Sequence, residues 1–160
     1  LLVGNELGDR TAAAGADPAK LVIEIKETAA IADLHQARTF AEALGRLGVD
    51  VALDDFGAGL GSFSSLRALP IDYLKIDGSF VKDVVTDPID LAMVKSINDI
   101  GHVMGKRTIA EFVESAEILE KLRELHVDYA QGYHIARERP IGDLELSVPA
   151  DNRGRAPGTD

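Results

Sequence analysis

The sequence predicts an α/β chain in which successive βα units lay down a parallel sheet. Three observations predict it. Short apolar runs alternate with amphipathic stretches of helical period, the same punctuation recurs where a helix gives way to a strand, and acidic residues stand where the apolar runs end. Strands separated by helices run parallel with right-handed crossovers, so their C-terminal ends share one face.

The first strand is expected over 21–25 (LVIEI), and it carries Glu24 near its end. An amphipathic stretch over 33–47 predicts a helix closed by Gly48, followed by a strand over 49–54 that ends in Asp54 and Asp55. Gly57, Ala58, Gly59 and Gly61 then predict a flexible loop, with a short helix over 62–69 and a strand over 73–77 ending at Asp77. A helix over 89–104 is closed by Gly105 and leads into a strand over 107–111 that ends at Glu111. The last unit pairs a helix over 116–125 with a strand over 127–131. His126 stands where the other two units have glycine, and His tolerates left-handed backbone angles better than branched residues do. From Arg137 onward Pro and Gly are scattered without a period. Residues 1–140 are therefore read as the domain portion and 141–160 as a loosely held tail.

A parallel series of this kind is either an open doubly wound sheet or a barrel. The glycine-rich phosphate turns of open nucleotide-binding sheets, GxGxxG and GxxxxGK[ST], are absent, which favours a TIM-like (β/α) barrel. A complete eightfold barrel takes about 250 residues. The expectation is an incomplete barrel of about five βα units, and the chain does not begin with Met, as a piece of a longer protein would not.

Composition narrows the function classes. With 160 residues and 46% hydrophobic content the chain can bury one core. The formal net charge of −10 argues against a broad surface that tracks the phosphates of a nucleic acid polymer, while a small phosphorylated ligand held through metal ions stays open. The absence of cysteine excludes disulfides, zinc-thiolate sites and thiol nucleophiles. No run approaches the roughly 20 apolar residues of a membrane span. A cytoplasmic location without membrane insertion is the expectation.

Glu24, Asp54, Asp55, Asp77 and Glu111 all fall at strand ends, hence on one mouth of the sheet. There they would repel one another unless a divalent cation sat among them. Each alone is more simply a helix cap or turn former, and Asp77-Gly78-Ser79 is a natural cap. Recurrence at equivalent positions is what points to a metal site, because capping would accept Ser, Thr or Asn equally. Lys75 shares a face with Asp77 by the period of two and serves either as a charge partner or as a holder of water. Gln131, at the end of the last strand, either satisfies backbone groups or orients that water. Asp55-Phe56-Gly57 matches a kinase DFG, but no HRD loop or glycine-rich phosphate loop accompanies it. The histidines show no metal-ligand spacing.

These residues resemble the EAL-domain proteins of bacterial cyclic-di-GMP signalling. VIEIKET, LDDFGAG, LRALPIDYLKID, AEFVES and AQGY stand in that family's order from about Leu21 to Pro140. The resemblance implies a TIM-like barrel that hydrolyses cyclic-di-GMP to linear pGpG with two Mg²⁺ or Mn²⁺ ions. It implies Glu24 and Asp54 as ligands of one ion and Asp54, Asp55 and Glu111 as ligands of the other. It implies Lys75 and Gln131, with Glu111, as the residues that position the attacking water, and Asp77, Glu27 and Glu114 in support. Glu27 would order the loop 56–61, which also lies near a dimer interface in the family, so a homodimer is expected, with a GGDEF or sensory domain upstream in the parent.

The departures from the family pattern matter too. The name-giving Glu-Ala-Leu and its Asn partner, both ligands of the first ion, are missing, and Glu6-Leu7-Gly8 lies too close to Glu24 to replace them. Lys26 stands where Thr is usual, and Phe112 where Gly is usual. The expectation is therefore a phosphodiesterase portion with weak or absent turnover by itself. The alternatives are a degenerate domain that binds cyclic-di-GMP as a receptor, or a dimerisation and scaffold module.

Overall fold

The computed structural model describes residues 2–58, 67 and 69–138. A helix α1 (Leu2–Ala14) and a 3-10 turn (Pro18–Lys20) precede β1 (Val22–Lys26). There follow α2 (Glu27–Ala32), α3 (Leu34–Arg46), β2 (Asp50–Phe56), β3 (Tyr73–Ile76), α4 (Gly78–Lys82), α5 (Pro88–Val103), β4 (Arg107–Ala110), α6 (Ala116–Glu124) and β5 (Tyr129–Ala130). The five strands form one sheet in the order β1-β2-β3-β4-β5, and every pairing is parallel. This is the partial (β/α) barrel that the alternation predicts.

Among the described residues, three helix-to-strand junctions are built alike. Gly48, Gly105 and His126 take φ of 79°, 69° and 59°. In each, the next residue's N–H bonds a carbonyl five residues back: Val49 to Leu44 at 3.1 Å, Lys106 to Gly101 at 2.9 Å and Val127 to Leu122 at 3.0 Å. That is the Schellman closure, which satisfies carbonyls a helix end leaves open. The opposite ends are capped by side chains. Asp33 accepts from Gln36 N, Asp87 from Ile89 N ahead of a proline, and Ser115 from Ile118 N.

Alternation along the strands separates two faces. Val51 and Leu53 of β2 and Leu74 and Ile76 of β3 face the helices and are at most 2% exposed. They share one apolar cluster with Leu44 of α3, Val81 of α4, Val94 and Ile97 of α5, and Leu122 of α6. The other face is the barrel's interior. Its lower layer holds Tyr73, with the Arg107 guanidinium 4.1 Å from the ring centre and Tyr129 edge-on at 5.9 Å. Arg107 also pairs with Asp50 at 3.3 Å. At the foot of β4, buried Asn98 and Thr108 bond each other at 2.6 Å, Asn98 donates to Leu125 O, and Asp128 accepts from Thr108 N at 2.8 Å. This network fixes α5, β4 and the approach to β5 in one register.

Several sequence expectations needed correction. α1 and α2 form over segments to which the sequence assigned no element, and Asp33 separates α2 from α3 as a cap. α4 is an added short helix. The last strand is two residues long rather than five: the Val127 N–H closes α6 on Leu122 O, and the Thr108 N–H donates to the Asp128 carboxylate. Most of the expected helix over 62–69 and the tail over 141–160 lie outside the described residues. Among the described residues no helix is long and apolar enough to cross a membrane.

Candidate metal centre and active site

Adjacent residues on a strand normally point to opposite faces, so Asp54 and Asp55 would not share a site on a regular β2. The strand is irregular there. Leu53 pairs with Leu74 but Phe56 pairs with Ile76, so Asp54 and Asp55 together stand opposite Lys75 alone. Asp55 takes φ 57°, and this bulge turns its carboxylate toward the same mouth as Asp54.

The mouth is assembled from four strands. Glu24 comes from β1, the Asp pair from β2, Lys75 from β3, and Glu111 from the residue after β4. Lys75 Nζ lies 2.8 Å from Glu24 Oε1, 2.8 Å from Asp54 Oδ1 and 2.7 Å from Glu111 Oε1, with its side chain only 3% exposed. Burial by itself pulls the Lys75 pKa down, but its contacts with Asp54, Glu111 and Glu24 outweigh that and hold the ammonium charged. Burial raises the Glu111 pKa above the usual carboxylate range, and the charges of Asp54 and Asp55 add to this against the pull of Lys75.

One ammonium does not satisfy these acids. One oxygen each of Asp54, Asp55 and Glu111 falls within 4.8 Å of the others, a separation suited to a shared cation. Among the described residues, Glu111 Oε2 is buried without a hydrogen-bond partner, and buried Asp54 Oδ1 has only the Lys75 ammonium, at 2.8 Å. Buried carboxylate oxygens left in that state are costly unless a cation completes them. The donor set is all hard oxygen, which suits Mg²⁺, Ca²⁺ or Mn²⁺ rather than a thiophilic metal.

The remaining predicted site residues are placed as follows. Gln131 lines a cavity of ≈ 360 Å³ with Glu111, Phe112, Gly132, Tyr133 and Arg137, and Glu114 borders the same space. Glu27 is 3% exposed, and its Oε2 accepts from Gly57 N at 3.4 Å, so it holds the start of the loop after the Asp pair. Asp77 accepts from Ser79 N at 2.7 Å as the cap of α4. Residues 59–66, most of that loop, lie outside the described residues.

Two residues that the sequence marks only as departures from the family pattern also reach the site. Lys26 ends β1 as the Cα partner of Asp54; its ammonium bonds Asp55 and lies 3.9 Å from Asp54 Oδ2. The signal for it was the shared face of Glu24 and Lys26, two residues apart. Phe112 takes φ 54°, unusual for so bulky a residue, and lies over Gly78, where a Cβ would come within 2.1 Å of its Cδ2.

Fold and site together define a partial parallel βα-barrel with a candidate carboxylate cation site at the C-terminal mouth of its strands, where barrels of this kind carry their chemistry. The EAL domain model matches residues 3–138, and the chain belongs to that family. Cyclic di-GMP phosphodiesterase PdeB of Shewanella oneidensis is 49% identical over 118 residues, which cover 74% of this chain and 14% of that protein. The FimX EAL domain from Pseudomonas aeruginosa bound to c-di-GMP superposes with a TM-score of 0.77 at 34% identity, covering 82% of this chain and 54% of that one. A manganese and cyclic-di-GMP complex of Klebsiella pneumoniae BlrP1 gives 0.75 at 32%, covering 81% and 33%. The chain thus spans about half of the FimX EAL domain and a smaller share of the other two proteins.

Proposed function

We propose that the whole protein is a divalent-metal-dependent phosphodiesterase that converts cyclic-di-GMP to linear pGpG, with this chain supplying most of its metal centre. The observation that carries the proposal is the gathering of Asp54, Asp55 and Glu111 oxygens within 4.8 Å beside a buried Glu111 oxygen that has no hydrogen-bond partner among the described residues, in a chain of the EAL family. Glu24 and Asp54 would hold one Mg²⁺ or Mn²⁺ ion and Asp54, Asp55 and Glu111 the other. When bound, such a pair lowers the pKa of water and neutralises charge on the phosphoryl oxygens.

This chain's own residues do the positioning. Lys75 fixes Glu24, Asp54 and Glu111 in one arrangement by contacting all three. Gln131, at the rim of the cavity beside Glu111, orients the attacking water. Glu27 steadies the loop that begins at Gly57, and Asp77 and Glu114 support the rim from α4 and the cavity wall. In the reaction, water oxygen bonds phosphorus, the bond from phosphorus to the 3′ oxygen breaks, and that oxygen leaves with a proton. A cytoplasmic location, a homodimer through the loop after Asp55, and an upstream GGDEF or sensory domain complete the proposal.

A second reading, a receptor that binds cyclic-di-GMP without cleaving it, is favoured by Lys26, whose ammonium already pairs with Asp55. Incubation of the full-length protein with cyclic-di-GMP and Mn²⁺ separates the two. Formation of pGpG supports the enzyme, tight binding without product supports the receptor, and neither supports a scaffold. The 160-residue chain alone is expected to turn over weakly or not at all.

A further inference from the structure

Two ammonium groups face the four carboxylates of the mouth, and they differ in kind. Lys75 is enclosed, whereas the Lys26 side chain is 64% exposed and reaches the acids from the rim. Its position is set by the backbone. Lys26 is paired in register with Asp54 across the β1–β2 ladder, on the same face as Glu24, so the side chain cannot avoid the mouth without turning out to solvent. From there it hydrogen-bonds Asp55 Oδ2 and stands 3.9 Å from Asp54 Oδ2, while Lys75 holds the other Asp54 oxygen at 2.8 Å. Both Asp54 oxygens and one of Asp55 therefore already face an ammonium. These two residues are two of the three that form the candidate cation cluster.

We propose that Lys26 is an internal competitor for the metal centre, a tethered cation that shares Asp54 and Asp55 with the divalent ion and sets the ion's affinity. The inference rests on the metal-binding reading above. A doubly charged ion among Asp54, Asp55 and Glu111 and an ammonium on Asp55 repel each other, so each ion that binds displaces Lys26 toward solvent. Its exposure and flexible stem keep that displacement feasible, which makes the residue a regulator of affinity rather than a block. The competing ammonium is tethered, so it acts at high effective concentration and is not diluted away.

Mn²⁺ binding to the full chain, read from the paramagnetic resonance of the free ion, tests this without reference to turnover. Lys26→Met keeps the stem and removes the charge, Lys26→Thr removes both, and Lys26→Arg keeps the charge. The expected result is that Met and Thr each bind Mn²⁺ roughly three- to fivefold more tightly than the unchanged chain while Arg does not, an effect sized for a solvent-exposed ion pair. Unchanged affinity in both Met and Thr variants, with Asp54→Asn abolishing binding, would overturn the role of Lys26 and leave the metal centre standing. Binding that survives Asp54→Asn undiminished, or none in any variant, would overturn the metal centre itself. Circular dichroism confirms that each variant is folded.

Discussion

Lys75 and Asp54 meet at 2.8 Å between Nζ and Oδ1, both nearly enclosed, with side chains 3% and 13% exposed. The contact ties β3 to the bulge of β2 and holds the acidic mouth together when no divalent ion is bound. Replacing Lys75 with Met leaves Glu24, Asp54 and Glu111 facing one another, and a loss of about 3 kcal/mol is expected without metal. Mn²⁺ should recover part of it, because an ion that binds only the folded state stabilises that state. Urea unfolding with and without Mn²⁺ checks both statements, and a Met variant as stable as the parent in metal-free buffer would count against them.

Phe112 and Gly78 are matched in the same way. A methyl group on Gly78 would lie 2.1 Å from Phe112 Cδ2, so the ring must move. Gly78→Ala is expected to cost about 1 kcal/mol with Phe112 present, the low end of overpacking because the ring is exposed, and close to nothing in a Phe112→Gly background. A double-mutant cycle measures the coupling. Equal costs in both backgrounds would show that the ring does not rest on Gly78.

His126 occupies a left-handed position with φ 59° that glycine fills at the two sister junctions. His126→Gly should raise stability by about 0.5 kcal/mol, the left-handed cost of a side chain less the entropy glycine loses on folding. His126→Val should lower it, because branching at Cβ worsens the clash. Thermal midpoints of the two variants decide, and a fall in both would assign His126 a contact of its own.

These junctions show what the sequence made legible. Gly48, Gly105 and His126 mark the βα repeat without any tertiary information, because a left-handed closure narrows residue choice locally. The acids at the strand ends were equally legible, since parallel strands send all their C-termini to one mouth. What could not be read depends on register. The bulge that brings Asp54 and Asp55 to the same side is a property of the β2–β3 pairing, and LDDF alone does not declare it. The period of two puts Lys26 on the face of Glu24, but its bond to Asp55 depends on its pairing with Asp54. α4 has too few residues for a measurable period, and β5 falls inside the expected strand over 127–131 but is shorter.

Away from the mouth, Asp128 is desolvated, which would raise its pKa. The Thr108 backbone N–H, His102 at 2.8 Å and the Thr108 hydroxyl together outweigh that and hold it below the ordinary 3.8. A depressed carboxylate contributes stability that is present above its unfolded pKa and is lost as pH falls through the folded one. Asp128→Asn should therefore be less stable at neutral pH, by about 1 kcal/mol after allowance for partial exposure, and the gap should close below about pH 4. Denaturant midpoints across pH 3–7 test the shape, and a gap that stays constant with pH would rule out the charge as its origin.

The account turns on whether carboxylates from separate strands hold a cation together at one end of the sheet. Anomalous X-ray scattering at the manganese edge, from crystals soaked in Mn²⁺, tests this most directly. The account predicts a peak bounded by the carboxylates of Asp54, Asp55 and Glu111, lost in Asp54→Asn. No peak there in the unchanged chain, or a peak that persists when Asp54 is Asn, would contradict it.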